Sequence, residues 1–64
     1  MNIKYFKIFE NDKMIGTYPT IKACDEELEK IYNSDKVYTY TLCEYDLTSE
    51  TYKTIESIKV ELEK

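Results

Sequence analysis

The chain contains no arginine, histidine, tryptophan or glutamine. Without arginine, it has no planar guanidinium group to bind a phosphate or a guanine through two parallel hydrogen bonds. Without histidine, it lacks the residue most often used for proton transfer near neutral pH and the commonest nitrogen ligand of transition metals. We therefore expect a protein that is not an enzyme and that binds no cofactor or metal.

Glycine and proline are almost absent, with one of each, at Gly16 and Pro19. The 64 residues contain no repeat, linker or low-complexity segment, so we expect a single small domain over residues 1–64. No run approaches the roughly 20 apolar residues of a membrane span. Lys4 and Lys7 interrupt the apolar N-terminal stretch, which argues against a signal peptide. The sequence thus predicts a cytoplasmic protein without a membrane partner.

The charge is unbalanced, with nine lysines against 13 acidic residues and a net charge of -4. Non-specific binding to nucleic acid depends mainly on clustered basic side chains, so direct nucleic-acid binding is not expected. It would require the fold to gather lysines into one patch; the candidates are Lys4, Lys7, Lys13, Lys36, Lys53 and Lys59. The composition is typical of an AT-rich genome, such as that of a low-GC bacterium or its phages, because Lys, Ile, Asn, Tyr and Glu are abundant and Arg and Gln are absent.

One stretch, Tyr18–Tyr32, has the apolar spacing of an amphipathic helix. Its apolar positions are Ile21, Cys24, Leu28, Ile31 and Tyr32. Thr20 is a favourable N-cap, because its side-chain oxygen can accept a hydrogen bond from a free N–H of the first turn. Asn33 follows the stretch and tolerates the left-handed conformation that ends many helices. The sequence predicts that this is the only helix.

The remaining segments have the composition of strands. They are Met1–Glu10, Met14–Tyr18, Val37–Leu47 and Thr51 to about Leu62, with turns at Asn11–Lys13 and Thr48–Glu50. Both faces of the first strand are partly apolar, which favours a central position in the sheet. Gly16 suggests a bulge or a close approach in the second strand. The last segment also fits a helical spacing at Tyr52, Ile55, Ile58 and Leu62, but its Thr- and Tyr-rich start favours a strand.

These elements predict an α+β fold of order ββαββ, a four-stranded antiparallel sheet with one helix packed on one face. A single helix can cover only one face. The other face must be solvated, paired with a second copy or bound to a partner. Cys24 and Cys43 are expected to be buried free thiols. The predicted core contains Ile3, Ile15, Ile21, Cys24, Leu28, Ile31, Ile58 and Val60, with Phe6 or Tyr5, Ile8 or Phe9, and Leu42 or Cys43.

Tyrosine is over-represented, with seven residues, and is enriched at binding hot spots as well as in strands. Tyr38 and Tyr40 lie on the same face of their strand, and Tyr52 is expected near them on the neighbouring strand. Together with Glu44, Asp46, Glu50 and Glu56 of the same hairpin, they would form an acidic, aromatic surface. A second acidic cluster includes Glu26 and Glu29 on the outer face of the helix. We predict partner-binding roles for the three tyrosines and for Glu44, Asp46, Glu50, Glu26 and Glu29; as purely structural features, the acidic groups would be solvated helix surface and edge-strand protection.

The composition favours a protein-binding module over an enzyme. In its sharpest form, this hypothesis is a small phage- or mobile-element-encoded inhibitor of a nucleic-acid enzyme, of the anti-CRISPR or another anti-defence type. Its carboxylates would imitate the phosphates of a nucleic acid. A second hypothesis is a structural domain that forms a homodimer through the open sheet face, with Tyr38, Tyr40 and Leu42 at its centre. A third is a small nucleic-acid-binding module.

Overall fold

The computed structural model describes residues 2–60. It contains β1 (Asn2–Glu10), β2 (Lys13–Tyr18), α1 (Ile21–Ile31), β3 (Tyr38–Asp46) and β4 (Thr51–Val60). All four strands pair antiparallel in one sheet of order β2-β1-β3-β4, which confirms the predicted fold. The segment from Thr51 to Val60 is a strand, as predicted, and not a helix; its predicted continuation to Leu62 lies outside the described residues.

The central position predicted for the first strand is confirmed, because β1 lies between β2 and β3. The β1–β2 turn is formed by Asn11 and Asp12, which have φ values of 48° and 69°. Positive φ at both central residues matches the right-handed twist of the flanking strands, and Asn and Asp tolerate it better than most residues. The β3–β4 connection, residues 47–50, is also a turn, and Glu50 there has a φ of 55°.

Two bulges change which side chains share a face. In β2, Ile8 pairs with Gly16 and Phe9 with Met14, so Ile15 is the extra residue. In β4, Leu42 pairs with Glu56 and Cys43 with Thr54, so Ile55 is the extra residue. Because side chains alternate between faces, one extra residue moves every earlier side chain of that strand to the opposite face.

Gly16 has both features predicted for it, the adjacent bulge and a close approach. A methyl group at this position would lie 2.8 Å from Cζ and 2.9 Å from Cε2 of the Tyr18 ring. The ring therefore occupies the space that a larger residue would fill.

The helix spans Ile21–Ile31, within the predicted stretch Tyr18–Tyr32, and begins directly after the predicted N-cap. Thr20 is its N-cap, and its Oγ1 accepts a hydrogen bond from the Ala23 N–H at 3.1 Å. The predicted stop at Asn33 is wrong in its mechanism, because Asn33 is not among the residues with positive φ. Tyr32 caps the helix instead, and the Asn33 side chain accepts from the Asp35 N–H at 2.9 Å in the following loop.

The core lies between α1 and the sheet and is formed by Ile8, Cys24, Leu28, Tyr38 and Tyr40. We call this side of the sheet the helix side and the opposite side the open face. Of the predicted core residues, Ile3, Ile21 and Ile58 are exposed instead. Ile3 lies on the open face, two residues from Tyr5, and Ile58 lies on the helix side in the edge strand β4.

Candidate protein-binding surfaces

All carboxylates of the described strands lie on one side of the sheet. Ile8 lies under the helix, and the pairing register places on its side Glu10, Glu44, Asp46 and Glu56. The open face of the strands carries two lysines, Lys7 and Lys59, and no carboxylate among the described residues. The strands thus segregate their carboxylates but not their lysines, since three further lysines share the helix side.

Tyr38 is fully buried beneath the helix, so its predicted place on an exposed partner-binding face is wrong. Its hydroxyl oxygen accepts from the Asn33 N–H at 3.0 Å, and its hydroxyl donates to Glu10 Oε2 at 2.9 Å. The ring also lies 5.4 Å from the ring of Tyr32. Tyr38 thus holds the end of α1 against β1, and Lys36 completes the group with an ion pair to Glu10 at 3.1 Å.

Tyr40 is also buried in the core, and its predicted exposure is likewise wrong. Its hydroxyl donates to Asp25 Oδ1 on α1 at 2.7 Å. Burial raises the pKa of the Tyr40 hydroxyl far above its usual range, and the hydrogen bond to Asp25 raises it further. This contact connects the helix to β3 and identifies the side of α1 that faces β3.

Two of the predicted acidic residues stabilise the β3–β4 hairpin. Glu44 pairs with Lys53 at 3.4 Å and accepts from Asn2 Nδ2 at 3.0 Å. Asp46 accepts from the backbone N–H of Thr48 at 2.9 Å and of Ser49 at 3.4 Å. The Thr48 hydrogen bond is the main reason that the pKa of Asp46 lies below its usual value.

Tyr52 does not join Tyr38 and Tyr40, which is a further correction. The extra residue Ile55 turns it to the open face, where its ring packs against Tyr45 with 4.6 Å between centroids. It is 71% exposed, and Glu50 lies in the turn before β4. The single acidic, aromatic surface predicted from the hairpin is therefore divided between the two sides of the sheet.

Glu26 and Glu29 are exposed on α1, as predicted. Glu29 is four residues after Asp25 and so lies on the same flank of the helix, the flank that faces β3. No hydrogen bond or ion pair within residues 2–60 engages Glu26, Glu29 or Glu56. No described side chain therefore neutralises these three carboxylates.

The open face presents apolar and aromatic side chains to solvent. Ile3 and Met14 are 49% and 48% exposed, and Tyr52 is more exposed still. An open groove of about 430 Å³ crosses this face, lined by Tyr5, Lys7, Thr17 and Tyr52. The groove is shallow and contains no carboxylate, so it offers no acid–base pair.

The lysines do not gather into one patch. Lys7 and Lys59 are on the open face, while Lys4, Lys13 and Lys53 are on the helix side by their pairing register. Lys36 and Lys53 also neutralise Glu10 and Glu44. The described residues therefore lack the concentrated basic surface that non-specific nucleic-acid binding requires.

Sequence reasoning missed a second uncovered area, on the helix side itself. Helix α1 packs on β1 and β2. Phe6 and Leu42, which pair in the two central strands, are only half-buried, and Ile58 of β4 is 42% exposed. We call the area of Leu42, Glu56, Ile58 and Val60 beside the helix the shelf. The shortness of the helix could have revealed this uncovered area, because a helix of 11 residues cannot cover a four-stranded sheet.

Both cysteines are buried and free, as predicted. Cys24 lies in the core under the helix, and burial raises the pKa of its thiol. Cys43 pairs with Tyr5 and therefore faces the other side of the sheet. No group of three or more side chains suited to hold a metal ion occurs in the described part of the chain. Nor does any helix between residues 2 and 60 have the length and apolarity to cross a bilayer.

No protein-family model matches the chain. No solved structure matches it. Over 60 residues it is 30% identical to a thioredoxin domain-containing protein of Schizosaccharomyces pombe, an alignment that covers 94% of this chain and 10% of that protein. The chain thus spans about a tenth of the length of the curated relative. Its two cysteines lie on α1 and β3 and do not form the Cys-X-X-Cys pair of thioredoxin-like redox sites.

Proposed function

We propose that this chain is a non-enzymatic protein-binding module whose helix side binds a basic surface of another protein. The observation that carries the proposal is the segregation of the carboxylates, since every strand carboxylate of the described sheet lies on the side of α1. Charge complementarity of this kind accelerates encounter with an oppositely charged partner and selects against others. The chain as a whole, at a net charge of -4, has the same sign.

In its sharpest form, the module inhibits a nucleic-acid enzyme, as anti-CRISPR and other anti-defence proteins do. Such enzymes carry basic channels for phosphates, and unpaired carboxylates on a small rigid domain can occupy them. Glu26, Glu29 and Glu56 support this proposal because no described residue neutralises them. The site of action would be the cytoplasm, that of the host cell for a phage-encoded protein.

The test is an affinity capture with the tagged chain from a nuclease-treated lysate of a low-GC bacterium, followed by mass spectrometry. Glu29→Lys replaces a negative by a positive charge and so raises the charge of the helix side by two units. The double variant Thr17→Lys/Thr54→Lys raises the charge of the open face by the same amount at exposed positions. We expect one stoichiometric nucleic-acid enzyme that Glu29→Lys loses and the double variant retains. Equal capture by both variants would contradict a role for the helix side.

Reversing Glu44 and Asp46 is a poor test of this surface. Glu44→Lys would place a second cation beside Lys53, and Asp46→Lys would remove the acceptor for the turn N–H groups. Either change disturbs the hairpin itself, so loss of binding could not be assigned to the partner. Glu29 is exposed and avoids this difficulty.

A second candidate function is self-association through the open face. Half-exposed Ile3 and Met14 and the largely exposed Tyr52 favour it, because apolar surface of this kind is stabilised by burial against a second copy. Tyr38 and Tyr40 cannot contribute to this interface, since both lie under the helix; the open-face residues would replace them. Sedimentation velocity of the wild type and of Ile3→Lys decides it. A dimer that Ile3→Lys dissociates supports self-association, and a monomeric wild type rejects it.

A further inference from the structure

Helix α1 leaves the β4 edge of its own side of the sheet exposed. Neighbouring strands lie about 4.8 Å apart, so four strands span roughly 14 Å between the outer axes, whereas a helix with its side chains is about 10 Å across. The helix packs mainly on β1 and β2, and on β3 it covers Tyr38 and Tyr40. The shelf is therefore β4 together with Leu42 of β3.

The floor of the shelf is apolar. Leu42 and Val60 are half-buried, and Ile58, between them in the sheet, is 42% exposed. Partly exposed apolar side chains on the side of the sheet that bears the helix indicate where a further element packs, because their remaining exposed area can still be removed from water. Val60 already contacts the core, so the floor is continuous with the packed interior.

The rim of the shelf is acidic. Glu29 lies on the flank of α1 that faces β3, and Glu56 pairs with Leu42 and points to the helix side. Neither has a partner among the described side chains. Lys22, three residues before Asp25, is the cation on the same flank of α1. A partner segment with basic side chains along both of its edges would form ion pairs with these two carboxylates.

We propose that the shelf binds an amphipathic helix of a partner protein, with leucine-like residues on Leu42, Ile58 and Val60 and lysine or arginine against Glu29 and Glu56. This inference rests on the proposed protein-binding function and specifies the partner element that it recognises. A groove that binds the apolar face of a helix contacts residues that lie one turn apart along that face. Helix α1 of a second copy does not fit, because its outer face carries Glu26, Glu29 and other carboxylates that the rim would repel.

The test uses a designed peptide of about 14 residues, roughly four helical turns, with leucines along one face and lysines on the other. One control peptide has glutamate in place of lysine. A second has the same composition with the leucines spread around the helix. Each is titrated into the ¹⁵N-labelled chain, and amide chemical-shift changes are recorded. We expect the Leu/Lys peptide to shift Leu42, Glu56 and Ile58, and neither control to do so.

Two variants matched in residue and charge test the position of the site. Ile58→Lys places a cation on the shelf, and Ile3→Lys places one at a similarly exposed isoleucine of the open face. We expect Ile58→Lys to weaken binding of the Leu/Lys peptide at least tenfold and Ile3→Lys to change it less than twofold. Glu29→Lys, at an exposed helix position, provides the same test if Ile58→Lys does not fold.

Several results would overturn the proposal. Shifts centred on Tyr52 and Tyr45 would place the peptide on the open face. If the peptide with dispersed leucines bound equally well, the interaction would be charge attraction alone and the apolar floor would play no part. A wild-type dimer lost in Ile58→Lys would make a second copy the occupant. If affinity capture recovers a partner that Ile58→Lys still binds, the protein-binding function stands and the shelf is not its site.

Discussion

At the scale of single residues, tyrosine does most to determine where this protein can act. The sequence correctly predicted that Tyr38 and Tyr40 share a face with Leu42, Glu44 and Asp46. It did not predict which face the helix covers, because both faces of the central strands contain apolar residues. Tyr has an apolar ring and a polar tip, so the same residue suits an exposed interface and a core with one hydrogen bond.

The contact between Tyr40 and Asp25 provides a direct test at this scale. Tyr40→Phe keeps the ring and removes the 2.7 Å hydrogen bond to the carboxylate. Because Asp25 is exposed and regains water, we expect a loss of about 1 kcal/mol in the free energy of unfolding. Urea unfolding measures it, with Tyr52→Phe on the open face as the control that leaves stability unchanged. A Tyr40→Phe variant as stable as the wild type would show that the contact contributes nothing.

At the scale of elements, the two bulges explain why strand faces were only partly predictable. Strict alternation from Ile58 would place Tyr52 beside Tyr38 and Tyr40, but the extra residue Ile55 reverses its direction. The bulge beside Gly16 was foreseen, since the glycine marks it, whereas Ile55 is an ordinary β-forming residue that gives no such signal. The helix, by contrast, follows from its apolar spacing and the Thr20 cap, both visible in the sequence.

Leu28 tests how the helix is attached to the sheet. It is fully buried between α1 and the sheet, so Leu28→Ala should lower the free energy of unfolding by about 2–5 kcal/mol. That loss is comparable with the total stability of a small domain, so most of the chain would unfold. A thermal melt followed by far-UV circular dichroism measures the change.

Ile21→Ala is the matched control for Leu28, because Ile21 lies on the same helix but is 47% exposed. Its effect should stay within about 1 kcal/mol. A Leu28→Ala melt that coincides with the wild type would refute the packing of α1 described here.

At the scale of the whole molecule, two carboxylates make stability depend on pH. The Tyr38 hydroxyl and then Lys36 hold the pKa of Glu10 below its usual value, and the Thr48 N–H does the same for Asp46. A pKa lowered by folding contributes stability above the ordinary pKa, and that contribution is lost as the pH falls through the lowered value. We expect the urea midpoint to fall between about pH 5 and about pH 2.

The double variant Glu10→Gln/Asp46→Asn should flatten this dependence, because it removes both groups that titrate with a lowered pKa. Glu26→Gln/Glu29→Gln removes two carboxylates from the exposed side of α1 and is the control matched in net charge. Equal slopes in all three proteins would show that the two contacts do not contribute to acid unfolding.

The molecule as a whole therefore has an acidic helix side with a half-covered sheet and an open face of tyrosine, aliphatic residues and lysine. The sequence was sufficient to predict the fold, the helix and the excess of acidic residues over lysines. It could not show that the strand carboxylates share one side, because that depends on which register the strands adopt. The candidate surface accordingly loses Tyr38 and Tyr40 to the core, keeps Glu29 and Glu56, and gains Ile58.

The most direct test of the helix side as the binding surface is the footprint of the captured partner on the ¹⁵N-labelled chain. The amides whose signals shift or broaden on partner addition mark the contact surface. We expect them to cluster at Glu29, Glu56 and Ile58 on the helix side. A cluster at Ile3, Tyr45 and Tyr52 would place the partner on the open face and contradict the proposed function.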